Sequence, residues 1–221
     1  MKNKYEESSG FTIVEVMIAT VIFSSILMLI AYGVTSFTGR YYEGINSSTA
    51  QSTANNILST VTQAIQFSTT GVINGAPNSP NTVLYCIGSD EFSGTLYTKS
   101  VSGSDILIET PIDNTIPGSA CSVQSSPSQT SLIGPNMRLQ KLSIQYLNNN
   151  LYSIDVEVIY GDSSLLCVSN SGYGSMCPIA ASTSQLVNPN VNLVCNNGSG
   201  SQYCYVANLS STVQMRGQTI L

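Results

Sequence analysis

Between Phe11 and Val34 the chain runs for 24 residues with one charged side chain, Glu15. No other feature constrains the fold as strongly. Wound as an α-helix at 1.5 Å per residue, the run extends about 36 Å, enough to cross a hydrocarbon core about 30 Å thick with some tilt. Lys2 and Lys4 precede it, and basic residues stay on the cytoplasmic side of a span. The expected topology is a cytoplasmic N-terminus with the remainder exported. Glu6 and Glu7 oppose this only weakly, because acids count for little in topology.

The residues around the run are in the wrong order for a secretory signal, whose shorter apolar region is followed by a small-residue cleavage site. Here no A-x-A pattern follows the run, and the small residue, Gly10, comes before it. Cleavage after Gly10 leaves the helix on the mature protein and makes Phe11 its first residue. Glu15 has a local reading, since Thr12-Ile13-Val14-Glu15 fits the S/T-x-x-E capping box. That box does not explain a carboxylate in apolar surroundings, which is costly to bury unpaired. The natural partner is the α-amine that cleavage creates at Phe11. A neighbouring subunit shifted along the helix axis brings that amine to Glu15 more easily than the same chain does.

Gly10-Phe11-Thr12-Ile13-Val14-Glu15, with the apolar run behind it, resembles the class III signal of type IV pilins and type II secretion pseudopilins. The resemblance implies that a prepilin peptidase cuts after Gly10 and methylates the new N-terminus at Phe11. It implies also that Glu15 pairs with a neighbour's Phe11 during assembly. It covers the N-terminal segment; beyond Val34 only the layout is similar. One departure is the absence of proline from the span, where many major pilins bend their helix; Gly33 is the nearest loosening element. That departure, with the cysteines below, leans toward a minor pilin or pseudopilin.

Past the span, Ala54, Ile57, Leu58, Val61, Ala64, Ile65 and Ser68 recur at spacings of three and four, the pattern of a helix with one apolar stripe. A single helix is expected to about residue 69, loosened around Gly39–Gly44 and ended by Gly71 and Asn74-Gly75. The stripe is expected to pack on a sheet. Thr82–Ile87, Thr95–Ser100 and Ile106–Glu109 read as short strands. Leu142, Ile144 and Tyr146, then Tyr152, Ile154, Val156, Val158 and Tyr160 alternating with Ser153, Asp155, Glu157 and Ile159, read as a hairpin about Asn148-Asn149-Asn150. Gly161-Asp162 turns the chain, and a last strand lies near Tyr203–Val213. Residues 111–136 and 169–202, rich in Ser, Asn, Gly and Pro, read as long loops.

The fold class is therefore α+β, a long N-terminal helix on an antiparallel sheet head. The expected divisions are a leader, 1–10; a transmembrane assembly helix, 11–34; its amphipathic continuation, 35–70; and an exported head, 71–221.

All six cysteines follow the span, with no CxxC pair and no histidine in the chain to complete a zinc site. In an exported, loop-rich head they are expected to form disulfides: Cys167–Cys177 and Cys195–Cys204 as local bridges, and Cys86–Cys121 by elimination. Without histidine the commonest general base is missing too. Asp155 and Glu157 fall on the polar face of a strand and are expected to be solvated. A formal charge of −5 with scattered Lys and Arg disfavours nucleic acid, which calls for a basic face. No cofactor, metal or enzymatic activity is expected. The expected partners are other pilin-like subunits, prepilin peptidase, the membrane and a pilus or secretion assembly machine. Two other classes are an adhesive or DNA-capturing tip module mounted on a pilin-like helix, and a membrane-anchored exported protein of other function.

Overall fold

The computed structural model describes residues 10–75, 81–97, 100, 107–112, 121, 128–168, 193–196 and 200–216. The chain divides into two compact units, Met1–Tyr41 and Tyr42–Leu221. One helix, α1 (Ile13–Phe67, 55 residues), contributes to both. It is helical through Gly33, Gly39 and Gly44 and ends two residues before the expected point. The second half of the helix thus belongs to the head rather than forming a region of its own.

In the head unit, α1 buries one stripe: Asn46, Ala50, Ala54, Ile57, Val61 and Ile65. Four of these were legible from the three-and-four spacing; Asn46 and Ala50 extend the stripe by two turns toward the N-terminus. The stripe meets two antiparallel sheets in one core. The first is a meander of β1 (Ile73–Asn74), β2 (Thr82–Ile87), β3 (Asp90–Thr95), β4 (Leu107–Pro111) and β5 (Thr130–Ser131). The second has β7 (Leu151–Tyr160) between β6 (Met137–Asn148) and β10 (Tyr205–Gln214). A small ladder of β8 (Leu166–Val168) and β9 (Leu193–Cys195) covers a second cluster of Tyr97, Ile159, Leu166, Leu193 and Cys204.

Strand β2 has the bounds the sequence indicated, but the expected strand over Thr95–Ser100 is replaced by β3 at Asp90–Thr95. The reason is the turn. Ile87 pairs with Asp90 across the two-residue loop Gly88-Ser89, and Gly88 supplies the positive φ of 60° that such a loop needs at its first position. The polar Asp90-Glu91 pair therefore begins a strand, and the chain turns out at Tyr97, whose φ is 63°. Backbone N–H groups of Tyr97 and Ser100 then donate to Leu139 and Met137 of β6 at 2.8 Å each, tying the two sheets together.

The β6–β7 hairpin turns on Asn149 and Asn150, both at positive φ, 47° and 59°. Asparagine tolerates that region better than other side-chain-bearing residues, which is why paired Asn makes a tight hairpin loop. Alternation along β7 places Tyr152, Ile154, Val156 and Val158 in the core. The final strand pairs with β7 from Tyr205–Tyr160 to Gln214–Leu151, making β7 the middle of its sheet. Two disulfides are present among the described residues, Cys86–Cys121 and Cys195–Cys204, each with Cα atoms 5.7 Å apart. The expected Cys167–Cys177 bridge involves Cys177, which lies outside the described residues.

Candidate functional site

The residues singled out by the sequence sit at the start of α1. Thr12 closes the helix N-terminus: its Oγ1 accepts from the Glu15 N–H at 3.3 Å, while Glu15 Oε2 accepts from the Thr12 N–H at 3.2 Å. Both halves of the capping box are thus made, satisfying donors that a helix start would otherwise leave unpaired. Thr12 Oγ1 also donates to Glu15 Oε2 at 3.3 Å. Phe11, just before the box, is 85% exposed. Among the described residues, no heavy atom lies near enough to Gly10 to meet an added Cβ.

From Ile13 to Ile45 no residue of α1 is buried. Ile13, Met17, Val21, Phe23, Met28, Leu29 and Phe37 are each more than 60% exposed. The helix over this stretch presents an exposed apolar surface among the described residues and is long and apolar enough to cross a membrane. Its polar residues are compatible with that role. Thr20 donates to Met17 O, Ser24 to Thr20 O, Ser25 to Ile22 O, Thr35 to Ala31 O and Thr38 to Val34 O, over 2.7–3.1 Å. A hydroxyl that bonds back to its own helix needs no water. Composition alone had left these hydroxyls unexplained.

The head contributes a different surface. A cleft of about 550 Å³ opens between the end of α1 and the β2–β3 turn, lined by Thr60, Phe67, Ser68, Asp90 and Glu109 among others. Burial pushes the Asp90 carboxyl up from its ordinary range, partly offset by a hydrogen bond from Ser89. Burial also raises Glu109, and the nearby Asp90 charge adds to that rise. Among the described residues no group of three or more His, Cys, Asp and Glu is arranged to hold a metal.

One expectation is corrected here. Glu157 is not a freely solvated strand residue: it is half-buried and accepts from Gln140 Nε2 at 3.1 Å. A bulge between Leu139 and Lys141 inserts Gln140 into β6 as an extra residue, and Gln140 is 3% exposed. Alternation assumes an unbroken ladder, which the bulge breaks. Burial raises the Glu157 carboxyl, with Lys141 and Gln140 pulling it back. Asp155 keeps a surface position and an ion pair to Lys141 at 3.3 Å.

A clasp on α1 went unforeseen. Asn46, 6% exposed, donates through Nδ2 to the Gln202 carbonyl at 2.9 Å, and the rings of Tyr42 and Tyr203 lie 5.4 Å apart. Asn46 and Gln202 are 156 residues apart in the chain, so no local pattern announces them. No protein-family model, curated protein or solved structure matches this chain.

Proposed function

We propose that the chain is a prepilin-type subunit, held in a membrane by α1 and polymerised through that helix into a type IV pilus-like or type II secretion filament. The observation that carries this reading is the uncovered apolar surface of α1 from Ile13 onward, beginning immediately after Gly10-Phe11. An apolar helix of this length requires lipid or other helices around it, and the reading gives it both in succession. The N-terminus is cytoplasmic and the head exported, with Lys2 and Lys4 setting the direction. Prepilin peptidase removes residues 1–10 and methylates Phe11. Glu15 then pairs with the Phe11 amine of an adjoining subunit as both enter the filament.

The capping box refines the role of Glu15. Its carboxylate already accepts from Thr12, so it is oriented at the helix start before any neighbour arrives. Glutamine keeps an acceptor oxygen for Thr12 and removes only the charge. Glu15→Gln therefore separates helix capping from assembly. Insertion, cleavage and head folding are expected to be unchanged, while filament incorporation falls, compared at equal amounts of processed protein in the membrane. Wild-type incorporation of the variant within filament shafts would show that Glu15 serves capping alone.

A further inference from the structure

We infer that the rim of the head formed by Tyr42, Ile45 and Tyr203 rests in the headgroup layer of the bilayer that holds the subunit's own helix; this rests on the membrane reading above. The three side chains are 43%, 42% and 44% exposed, and they do not sit on a loose loop. Tyr203 ends a 3₁₀ turn, Ser201–Tyr203, and the next residue is bridged to Cys195. The turn is pinned to α1 by the Asn46–Gln202 hydrogen bond. It also packs so closely on Gly161 that a Cβ there would lie 3.1 Å from the Tyr203 carbonyl. Tyr42, Ile45 and Asn46 share one helix face at spacings of three and four, while Glu43 belongs to the next face. A structure that fixes two tyrosines and an isoleucine firmly, yet leaves their outer surfaces exposed, has prepared a contact.

Position selects the occupant. Between Glu15 and Arg40 lie 24 uncharged residues, about 36 Å of helix, against roughly 30 Å of hydrocarbon and 40–45 Å with headgroups. Arg40, the first cation after the span, is thus placed at the level of lipid phosphate. Tyr42 follows two residues later, about 3 Å further along the helix. Helical side chains lean back toward the N-terminus, which lowers the Tyr42 ring toward that level, and Tyr203 packs on that ring. Tyrosine is enriched at this depth because its ring is apolar and its hydroxyl wet. Lipid headgroups and glycerol are the chemistry this rim fits.

The chain contains no tryptophan, so Tyr203→Trp creates a unique fluorescent reporter. The full chain is reconstituted in phosphatidylcholine–phosphatidylglycerol vesicles carrying a headgroup nitroxide lipid. Tyr146→Trp is the reference: Tyr146 is 60% exposed on the β6–β7 hairpin. The end of that hairpin lies by the far end of α1, where Met215 N–H donates to Asn150 O and Arg216 N–H to Gln66 O, about 36 Å of helix from Tyr42. Nitroxide is expected to quench the Tyr203→Trp variant several-fold more than the Tyr146→Trp variant. Ile45→Trp, on the helix itself, is expected to behave like Tyr203→Trp and guards against a local change in the 3₁₀ turn. Equal quenching of the reporters at positions 203 and 146, with the protein still floating with the vesicles, overturns the rim contact alone. A reporter at position 203 that is shielded from aqueous acrylamide yet unquenched by nitroxide assigns the rim to a second copy and also overturns it. Failure to float removes the membrane reading and the rim with it.

Discussion

Ile57 tests whether the second half of α1 is part of the head core, as against a continuation of the surface that precedes it. Its side chain is fully buried in the cluster that includes Phe92, Leu139 and Val156. Ile57→Ala removes three carbons, about 2.4 kcal/mol at about 0.8 kcal/mol per buried methylene. The cavity, on the order of 80 Å³ if nothing relaxes, adds up to about 2 kcal/mol. The expected loss is about 4 kcal/mol, near the upper part of the range for such truncations. For a unit of this size each kcal/mol lowers the melting temperature by about 2–4 °C, so the shift is roughly 8–16 °C. The assay is thermal unfolding of the full chain in detergent, followed by circular dichroism. Leu29→Ala is the comparison: Leu29 lies on the same helix but is 72% exposed, and the head transition should stay within about one degree because no core contact is lost. A shift of only a degree or two for Ile57→Ala, or equal shifts for both variants, would refute the division of the helix into a core half and an uncovered half.

Replacing Gly10 with a bulky residue is expected to leave residues 1–10 attached, read by mass spectrometry of the membrane fraction; a mature N-terminus beyond residue 30 in wild type would instead indicate a conventional signal peptide. Serine replacement of the Cys86–Cys121 pair, separated by 35 residues, should cost about 3.8 kcal/mol in loop entropy. The same replacement of Cys195–Cys204, separated by 9, should cost about 2.7 kcal/mol, so denaturant unfolding orders the two variants. Asp90, Glu109 and Glu157 are all held above the ordinary carboxylate range. The folded state therefore binds protons more readily than the unfolded chain. Their joint contribution opposes folding at neutral pH and is relieved as pH falls through the folded values, until the unfolded carboxylates protonate as well. Head stability should accordingly rise on mild acidification from pH 7, and Glu109→Gln should flatten that slope; a slope unchanged in the variant would clear Glu109 of any part in it.

Much of the architecture was legible because it is written in periods. The three-and-four spacing from Ala54 to Ser68 located the buried stripe, alternation located β7, and adjacent asparagines located the hairpin between β6 and β7. The start of the helix was legible too, since Thr12 and Glu15 act on each other across three residues and need no tertiary partner. What local pattern misjudged had tertiary causes. Strand β3 begins on Asp90-Glu91 because Gly88-Ser89 turns it back onto β2, and pairing outweighed its polar composition. Glu157 is half-covered because one inserted residue, Gln140, breaks the ladder on which alternation depends.

The sequence by itself determined that the apolar run up to Val34 forms a helix and that its first turn carries a carboxylate that closes a capping box. Both follow from hydropathy and from contacts within one turn. Tertiary structure decided where α1 stops being a surface and becomes core. Ala50 and Leu29 are both apolar helical residues, yet one is fully buried and the other 72% exposed, and only the sheets packed against α1 make that difference. It also decided that Asn46 and Tyr42 meet Gln202 and Tyr203. Contacts across some 156 positions depend on two sheets, a 3₁₀ turn and the close approach at Gly161 all being in place, because burial is a property of the assembled fold and not of any segment alone.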